Sequence, residues 1–149
     1  MIRKLHRKQG AQSLVEFALI MPMFFILIFG VIDFGMGLRA YITVSQATRE
    51  GARYGIVGNT GGGNGSCISP PANTVRAKVC NTMDGLNLRS TDIVTVSYPA
   101  GNTPGQSVRV NARYNYDFIT PLDSFVNVLS GGSMSGSIPI SSTTDMRIE

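Results

Sequence analysis

Residues 14–32 read LVEFALIMPMFFILIFGVI, and the rest of the chain is organised around this stretch. It carries a single charged side chain, Glu16, near its start. As an α-helix it would extend about 28 Å, close to the thickness of a bilayer's hydrocarbon core. Four basic residues precede it, namely Arg3, Lys4, Arg7 and Lys8. An apolar helix inside a soluble core seldom follows such a cluster, so the stretch is predicted to span a membrane.

The distribution of charge along the chain predicts its orientation in the membrane and does not indicate nucleic-acid binding. The formal net charge is +4, and the surplus lies in residues 1–10, because the remaining nine Lys and Arg are balanced by nine Asp and Glu. No basic patch interleaved with aromatic residues follows, so nucleic acid is not an expected partner. Positive residues stay on the cytoplasmic side. The N-terminus is therefore predicted to be cytoplasmic and the bulk of the chain extracytoplasmic.

A secretory signal peptide also begins with a basic head and an apolar run. This run is longer than the usual 7–15 residues. The nearest small residues that could mark a cleavage site are Gly35 and Gly37, beyond Asp33. A retained single-pass anchor is favoured, and a secreted domain released by cleavage stays an alternative.

The helix is predicted to continue beyond the lipid as a stalk, over residues 12–57 in all. Pro22 removes one backbone donor inside the apolar run and is predicted to kink the helix. One face of the stalk is expected to be apolar, from spacings of three and four between Leu38, Tyr41, Ile42, Ser45, Thr48, Ala52 and Ile56. Gly51 and Gly55 would let another backbone approach closely.

Residues 58–72, rich in Gly and Pro, are predicted to be a flexible connector. The glycines are not followed by the Gly-Lys-Ser/Thr of a phosphate-binding loop. Cys67 and Cys80 both fall in the part predicted to lie outside, where an oxidising compartment permits a disulfide. Two separate buried thiols are the alternative. A zinc or redox CxxC pair is excluded by the spacing.

Residues 73–149 are predicted to form a small extracytoplasmic α+β domain. Asn73 is expected to cap a short helix over 74–83. Residues 92–99 and 107–118 alternate apolar and polar side chains around a turn, which predicts an antiparallel hairpin.

A second short helix is predicted within 119–132, beginning near Pro121 and ending at Gly131. Its buried side would be formed by Leu122, Phe125, Val126 and Leu129. The last segment, from residue 135, predicts a third strand, and Pro139 favours an edge position for it. The fold class is thus α+β: a long transmembrane and stalk helix, then a three-stranded antiparallel sheet with short helices.

Catalytic signals are nearly absent from this sequence. The single histidine, His6, lies in the basic head, and the acidic residues are scattered. No catalytic, metal or cofactor site and no small-molecule substrate is therefore expected, and the protein is not predicted to be an enzyme. Glu16 either lies among lipid headgroups at little cost or pairs with a basic group of another subunit.

The N-terminal third of the chain resembles a known family. The residues that carry the resemblance are the basic leader, GAQSLVEFALIMPMFFILIFGVIDFG and QATREGARYG, with the ending TTDMRIE in support. Together they look like the TadE-like family of pseudopilins in the tight-adherence (Flp) branch of type IV pili. The match covers mainly the first 57 residues, while 58–140 agrees only in general layout.

The resemblance implies roles for particular residues. Family members are thought to be cut by a prepilin peptidase after a small residue, which would remove residues 1–10 or 1–11. The usual pattern has Gly directly before QSLVEF, whereas here Ala11 stands between Gly10 and Gln12. Glu16 would meet the new N-terminal amine of a neighbouring subunit as helices pack.

The implied partners are the prepilin peptidase, other pilin or pseudopilin subunits, tight-adherence assembly proteins and membrane lipid. The implied location is the bacterial cytoplasmic membrane, or a pilus at the cell surface, with a role in adhesion. The alternative function is a single-span, membrane-anchored binding module that never enters a filament.

Overall fold

The structure is a computed structural model of the chain. It describes residues 3–57, 63–101, 103–122, 124, 127, 130–132 and 137–148, with their side chains from residue 12 onward. The elements, in chain order, are α1 (Arg3–Ile56), β1 (Gly65–Ser66), α2 (Val75–Thr82), β2 (Ile93–Ser97), β3 (Ser107–Asp117) and β4 (Ser137–Arg147).

The chain divides into two compact units. The first comprises Met1–Gly35 and Phe118–Met134, and the second comprises Met36–Asp117 and Ser135–Glu149. Helix α1 therefore contributes its apolar first part to one unit and its later part to the other.

The sheet of the second unit has four strands in the order β1-β2-β3-β4, each antiparallel to its neighbour. The predicted number of three strands is wrong. The missed strand, β1, is only two residues long and pairs Gly65 with Val94 and Ser66 with Ile93. It lies in the stretch predicted to be a connector, where two residues cannot display the alternation by which strands are recognised.

The predicted hairpin and third strand are confirmed. Strand β2 pairs with β3, so that Val96 lies opposite Val110, and β4 pairs with β3 at the end of the sheet order, as Pro139 predicts. Alternate residues of β3 are buried, namely Val108, Val110, Ala112, Tyr114 and Tyr116. They are the apolar face that the alternation predicts.

The buried face of the second part of α1 coincides only in part with the apolar face predicted from the spacing. Thr48 and Ala52 of that face are buried, whereas Leu38, Tyr41 and Ile42 are about half exposed. The buried positions are Ala40, Val44, Ala47, Thr48, Gly51, Ala52 and Gly55. Small side chains face inward because α1 lies close to its neighbours: a methyl group on Gly55 would be 3.3 Å from both Val75 and Val108. Close packing, not hydrophobicity, selects this face.

One buried hydroxyl joins this part of α1 to β4. Thr48 is fully buried and donates from its Oγ1 to the carbonyl oxygen of Ser45 at 3.0 Å. The Thr48 Oγ1 also accepts a hydrogen bond from the Thr144 hydroxyl at 3.0 Å. It lies 3.2 Å from the Ser142 hydroxyl. Because its partners satisfy it, the polar group is buried at little cost.

Helix α2 is capped one residue later than predicted. Thr74, not Asn73, is the N-cap, and its Oγ1 accepts a hydrogen bond from the Ala77 amide at 3.1 Å. Asn73 instead has a positive φ of 58°, a conformation that Asn tolerates better than most residues. The predicted disulfide is present and links Cys80 of α2 to Cys67, which follows β1.

The helix predicted within 119–132 is described only in part. Leu122, Ser124 and Asn127 have helical backbone, and Gly131 has a positive φ of 64°. Phe125, Val126 and Leu129 lie outside the described residues.

Candidate membrane and assembly site

The apolar part of α1 is exposed over most of its surface. Leu19 is 75% exposed and Met23 77%. Large apolar side chains are also exposed at Leu14, Val15, Phe17, Ile20, Phe24, Phe25, Ile26, Leu27, Val31, Ile32 and Phe34. A helix that is apolar on every side belongs in a protein core or in lipid. The described part of its own chain leaves most of this surface exposed, so lipid or another protein must cover it.

Among the described residues, one helix is long and apolar enough to cross a membrane, within Gln12–Ile56. The helix is therefore the candidate span of a single-pass membrane protein. About 20 residues are enough to cross a bilayer, so residues 14–32 suffice for the span itself.

The residues predicted to act in cleavage, kinking and assembly all lie on helix α1. Gly10 and Ala11 belong to its backbone, Gln12 and Glu16 are exposed on it, and the helix runs through Pro22 without ending. The structure does not bring these positions together, because they follow one another along a single element. Their roles in cleavage, pairing and kinking stay predictions.

Asp33 is a site residue that sequence reasoning missed. Although it directly follows the apolar run, it is only 4% exposed. Its Oδ1 accepts hydrogen bonds from the backbone amides of Ile119 at 3.0 Å and Thr120 at 3.3 Å, and its Oδ2 accepts one from the Thr120 hydroxyl. The carboxylate thus fixes the start of the 118–134 segment against the end of the apolar helix.

The next backbone amide of this turn, that of Leu122, finds its acceptor within the turn. Pro121 has no N–H, and the Leu122 amide donates to the Thr120 Oγ1 at 3.4 Å. The sequence signal for this arrangement is slight. A Thr-Pro pair announces a turn, but nothing in the pattern links it to an acid 87 residues earlier.

Among the described residues, no group of three or more His, Cys, Asp or Glu is placed so that it could hold a metal ion. The cysteines are not available as ligands, since Cys67 and Cys80 are joined.

Comparison with known proteins bears on the same helix. The family model described as TadE-like protein matches residues 11–53. The match covers most of the first 57 residues, which carry the resemblance noted in the sequence, but not the basic leader or the ending TTDMRIE. The match begins at the predicted cleavage site and includes Glu16 and the candidate span. Residues 11–53 are thus a TadE-like segment of a candidate single-pass membrane protein. No curated protein and no solved structure gave a match.

Proposed function

We propose that this chain is a TadE-like pseudopilin or minor pilin that acts in assembling a tight-adherence pilus for surface adhesion. The observation that carries the proposal is the coincidence of the TadE-like match with an apolar helix whose large side chains are mostly exposed. Such a helix needs a covering, first in the membrane and then among the helices of other subunits.

A second observation favours assembly over simple anchoring. In the second unit, α1 still exposes large apolar side chains at Leu38, Tyr41 and Ile42, with 49%, 52% and 46% of their surface accessible. Their spacing of three and four places them on one face of the helix. A membrane anchor has no need of apolar residues beyond its span, whereas helix packing between subunits would cover them.

The proposed mechanism begins with processing. A prepilin peptidase would cut after Gly10 or after Ala11, so that Ala11 or Gln12 becomes the first residue, and would remove the basic head. The new N-terminal amine would then pair with Glu16 of a neighbouring subunit. An unpaired charge in a packed helical bundle is strongly destabilising, so this pairing would offset the cost of burying the carboxylate.

N-terminal sequencing of the mature protein from membranes tests the processing step. A mature start at Ala11 or Gln12 is expected. An intact Met1 would favour the anchored binding module instead, and a start beyond residue 35 would indicate an ordinary secreted domain.

The assembly step is tested by Glu16→Gln, with Asp84→Asn as the matched control. Asp84 is an exposed acid outside the candidate span. Glu16→Gln should leave expression, insertion and leader removal near normal but reduce co-purification with other pilin subunits and tight-adherence assembly proteins. Asp84→Asn should change none of these. Normal co-purification of the Glu16→Gln protein would contradict the charge-pairing mechanism.

A further inference from the structure

The first unit contains a groove between α1 and the turn that Asp33 holds. Its volume is about 390 Å³, and it is lined by Leu122 and by α1 side chains from Ala18 to Phe29, including Pro22 and Phe25. These α1 residues all lie within the stretch predicted to span the membrane.

The position of Leu122 along the span follows from the helix rise. Phe29 precedes Asp33 by one turn of helix, or about 6 Å. Since Leu122 lines the groove together with side chains of residues 18–29, it lies at their level and not beyond the end of the span. The turn therefore runs back along the helix from Asp33.

The backbone N–H groups of this turn are satisfied within the protein. Non-helical backbone is tolerated at membrane depth only when its polar groups are satisfied within the protein. Here the amides of Ile119 and Thr120 donate to Asp33, the Leu122 amide donates to the Thr120 hydroxyl, and Pro121 has no donor. None of residues 119–122 therefore has an unsatisfied backbone N–H. The Ile119 side chain, meanwhile, is 62% exposed.

We propose that residues 119–122 enter the hydrocarbon of the leaflet at the C-terminal end of the span, and that a lipid acyl chain fills the groove. The occupant is lipid because the lining side chains are apolar and the groove opens within the span itself. The protein would then contact the bilayer through two segments that are distant in sequence. This inference rests on the membrane span of the proposed function, and not on cleavage or filament assembly.

Fluorescence quenching by lipid can test this cleanly, because the chain has no Trp. Leu122→Trp is introduced into the full chain and reconstituted in phosphatidylcholine vesicles with or without bromine on the acyl chains. Phe24→Trp, in the span, is the positive control, and Ile93→Trp, on β2, is the negative control. Ile119→Trp provides a second probe of the turn, at a more exposed position.

Brominated lipid should quench Leu122→Trp and Ile119→Trp about as strongly as Phe24→Trp, while Ile93→Trp stays bright. Adding Asp33→Ala should reduce the quenching of Leu122→Trp, whereas adding Asp84→Ala should not. Quenching of Phe24→Trp without quenching of either turn probe would overturn the inference and leave the span intact. A blue-shifted but unquenched Leu122→Trp would show that protein fills the groove. Loss of quenching at Phe24→Trp as well would overturn the span and this inference together.

Discussion

Gly51 of α1 lies directly against Val79 of α2. A methyl group added to Gly51 would come far closer to the Val79 Cγ2 than two carbon atoms can approach, and would be 3.6 Å from Val75 and Val110. The glycine is therefore required for packing. Contrary to expectation, the close neighbours are side chains rather than another backbone.

Gly51→Ala should destabilise the second unit. Overpacking a core typically costs about 1–3 kcal/mol, and the higher helix propensity of Ala would offset about 1 kcal/mol of that. A net loss of up to about 2 kcal/mol in the free energy of unfolding is therefore expected. Urea titration in detergent, monitored by the circular dichroism of the tyrosines, measures it. Gly35→Ala is the control, since among the described residues no atom outside its own turns of helix lies within 4 Å of the added methyl group, and it should be neutral or stabilising. Equal stability of Gly51→Ala and Gly35→Ala would contradict this packing.

Reduction of the Cys67–Cys80 disulfide should also destabilise the second unit. The bond closes a loop with a sequence separation of 13. The chain-entropy model assigns such a loop about 3 kcal/mol. The measurement compares urea midpoints of the oxidised and reduced protein, with the Cys67→Ser, Cys80→Ser double variant as a control that should not respond to reductant. Identical midpoints before and after reduction would contradict the prediction.

Asp92 fixes the start of β2 through hydrogen bonds to two backbone amides. Asp92→Asn should therefore lower the free energy of unfolding. Asp92 is fully buried, and its Oδ2 accepts from the Arg89 amide at 2.7 Å while its Oδ1 accepts from the Asn115 amide at 2.9 Å. Asn has only one side-chain oxygen, so one of these two part-buried amides would lose its acceptor. The expected cost is about 1–3 kcal/mol. Asp84→Asn, at an exposed position, should have little effect on the same urea titration.

The ion pair between β3 and β4 should give a small acid sensitivity. Arg109 donates to Asp145 through Nε and Nη2, both at 2.8 Å, and these hydrogen bonds are the main reason that the pKa of Asp145 lies below its ordinary value. A lowered pKa in the folded state means that the pair stabilises above the unfolded-state pKa of about 3.9. That stabilisation is lost as the pH falls through the folded-state pKa.

Asp145→Asn should therefore be slightly less stable than the parent near neutral pH and converge with it in acid. The effect should be small and should shrink with salt, because the pair is exposed. Urea midpoints across the acid range measure it. A difference that stays constant with pH would exclude the ion pair as its source.

Orientation in the membrane should depend on the basic head. Replacing Arg3, Lys4, Arg7 and Lys8 by Gln should reduce the fraction of chains with the C-terminal part outside, because positive residues hold their end in the cytoplasm. Protease accessibility of the C-terminal part, in cells with the outer layers opened, measures that fraction. Protection of this part in the unsubstituted protein would contradict the proposed topology.

The sequence predicts those parts of the fold in which a single local rule acts. The alternation in β3 identifies its buried face because one side of the strand meets the core. The composition of residues 14–32 identifies the apolar helix in the same way. The pairing of Cys67 with Cys80 can be predicted because the chain has two cysteines and both lie in the part predicted to be in an oxidising compartment.

Other features depend on relations that no local pattern records. The buried face of α1 is chosen by close approach to α2 and β3, which favours Ala and Gly over Leu38 or Tyr41. Strand β1 is a strand only through its pairing with β2, which the two-residue sequence itself does not indicate. The contact between Asp33 and Thr120 joins residues 87 apart in sequence. Its key residue looked like an ordinary acid at the end of an apolar run.

The register of β3 and β4 has a consequence for how the chain can vary. Asp117 and Ser137 are paired directly across the two strands. Paired residues are close enough for a tight turn to join them. The sheet therefore does not require the residues between them, and the 118–134 segment is an insertion at a hairpin tip. Such an insertion can lengthen, shorten or be exchanged without disturbing the ladder between β3 and β4.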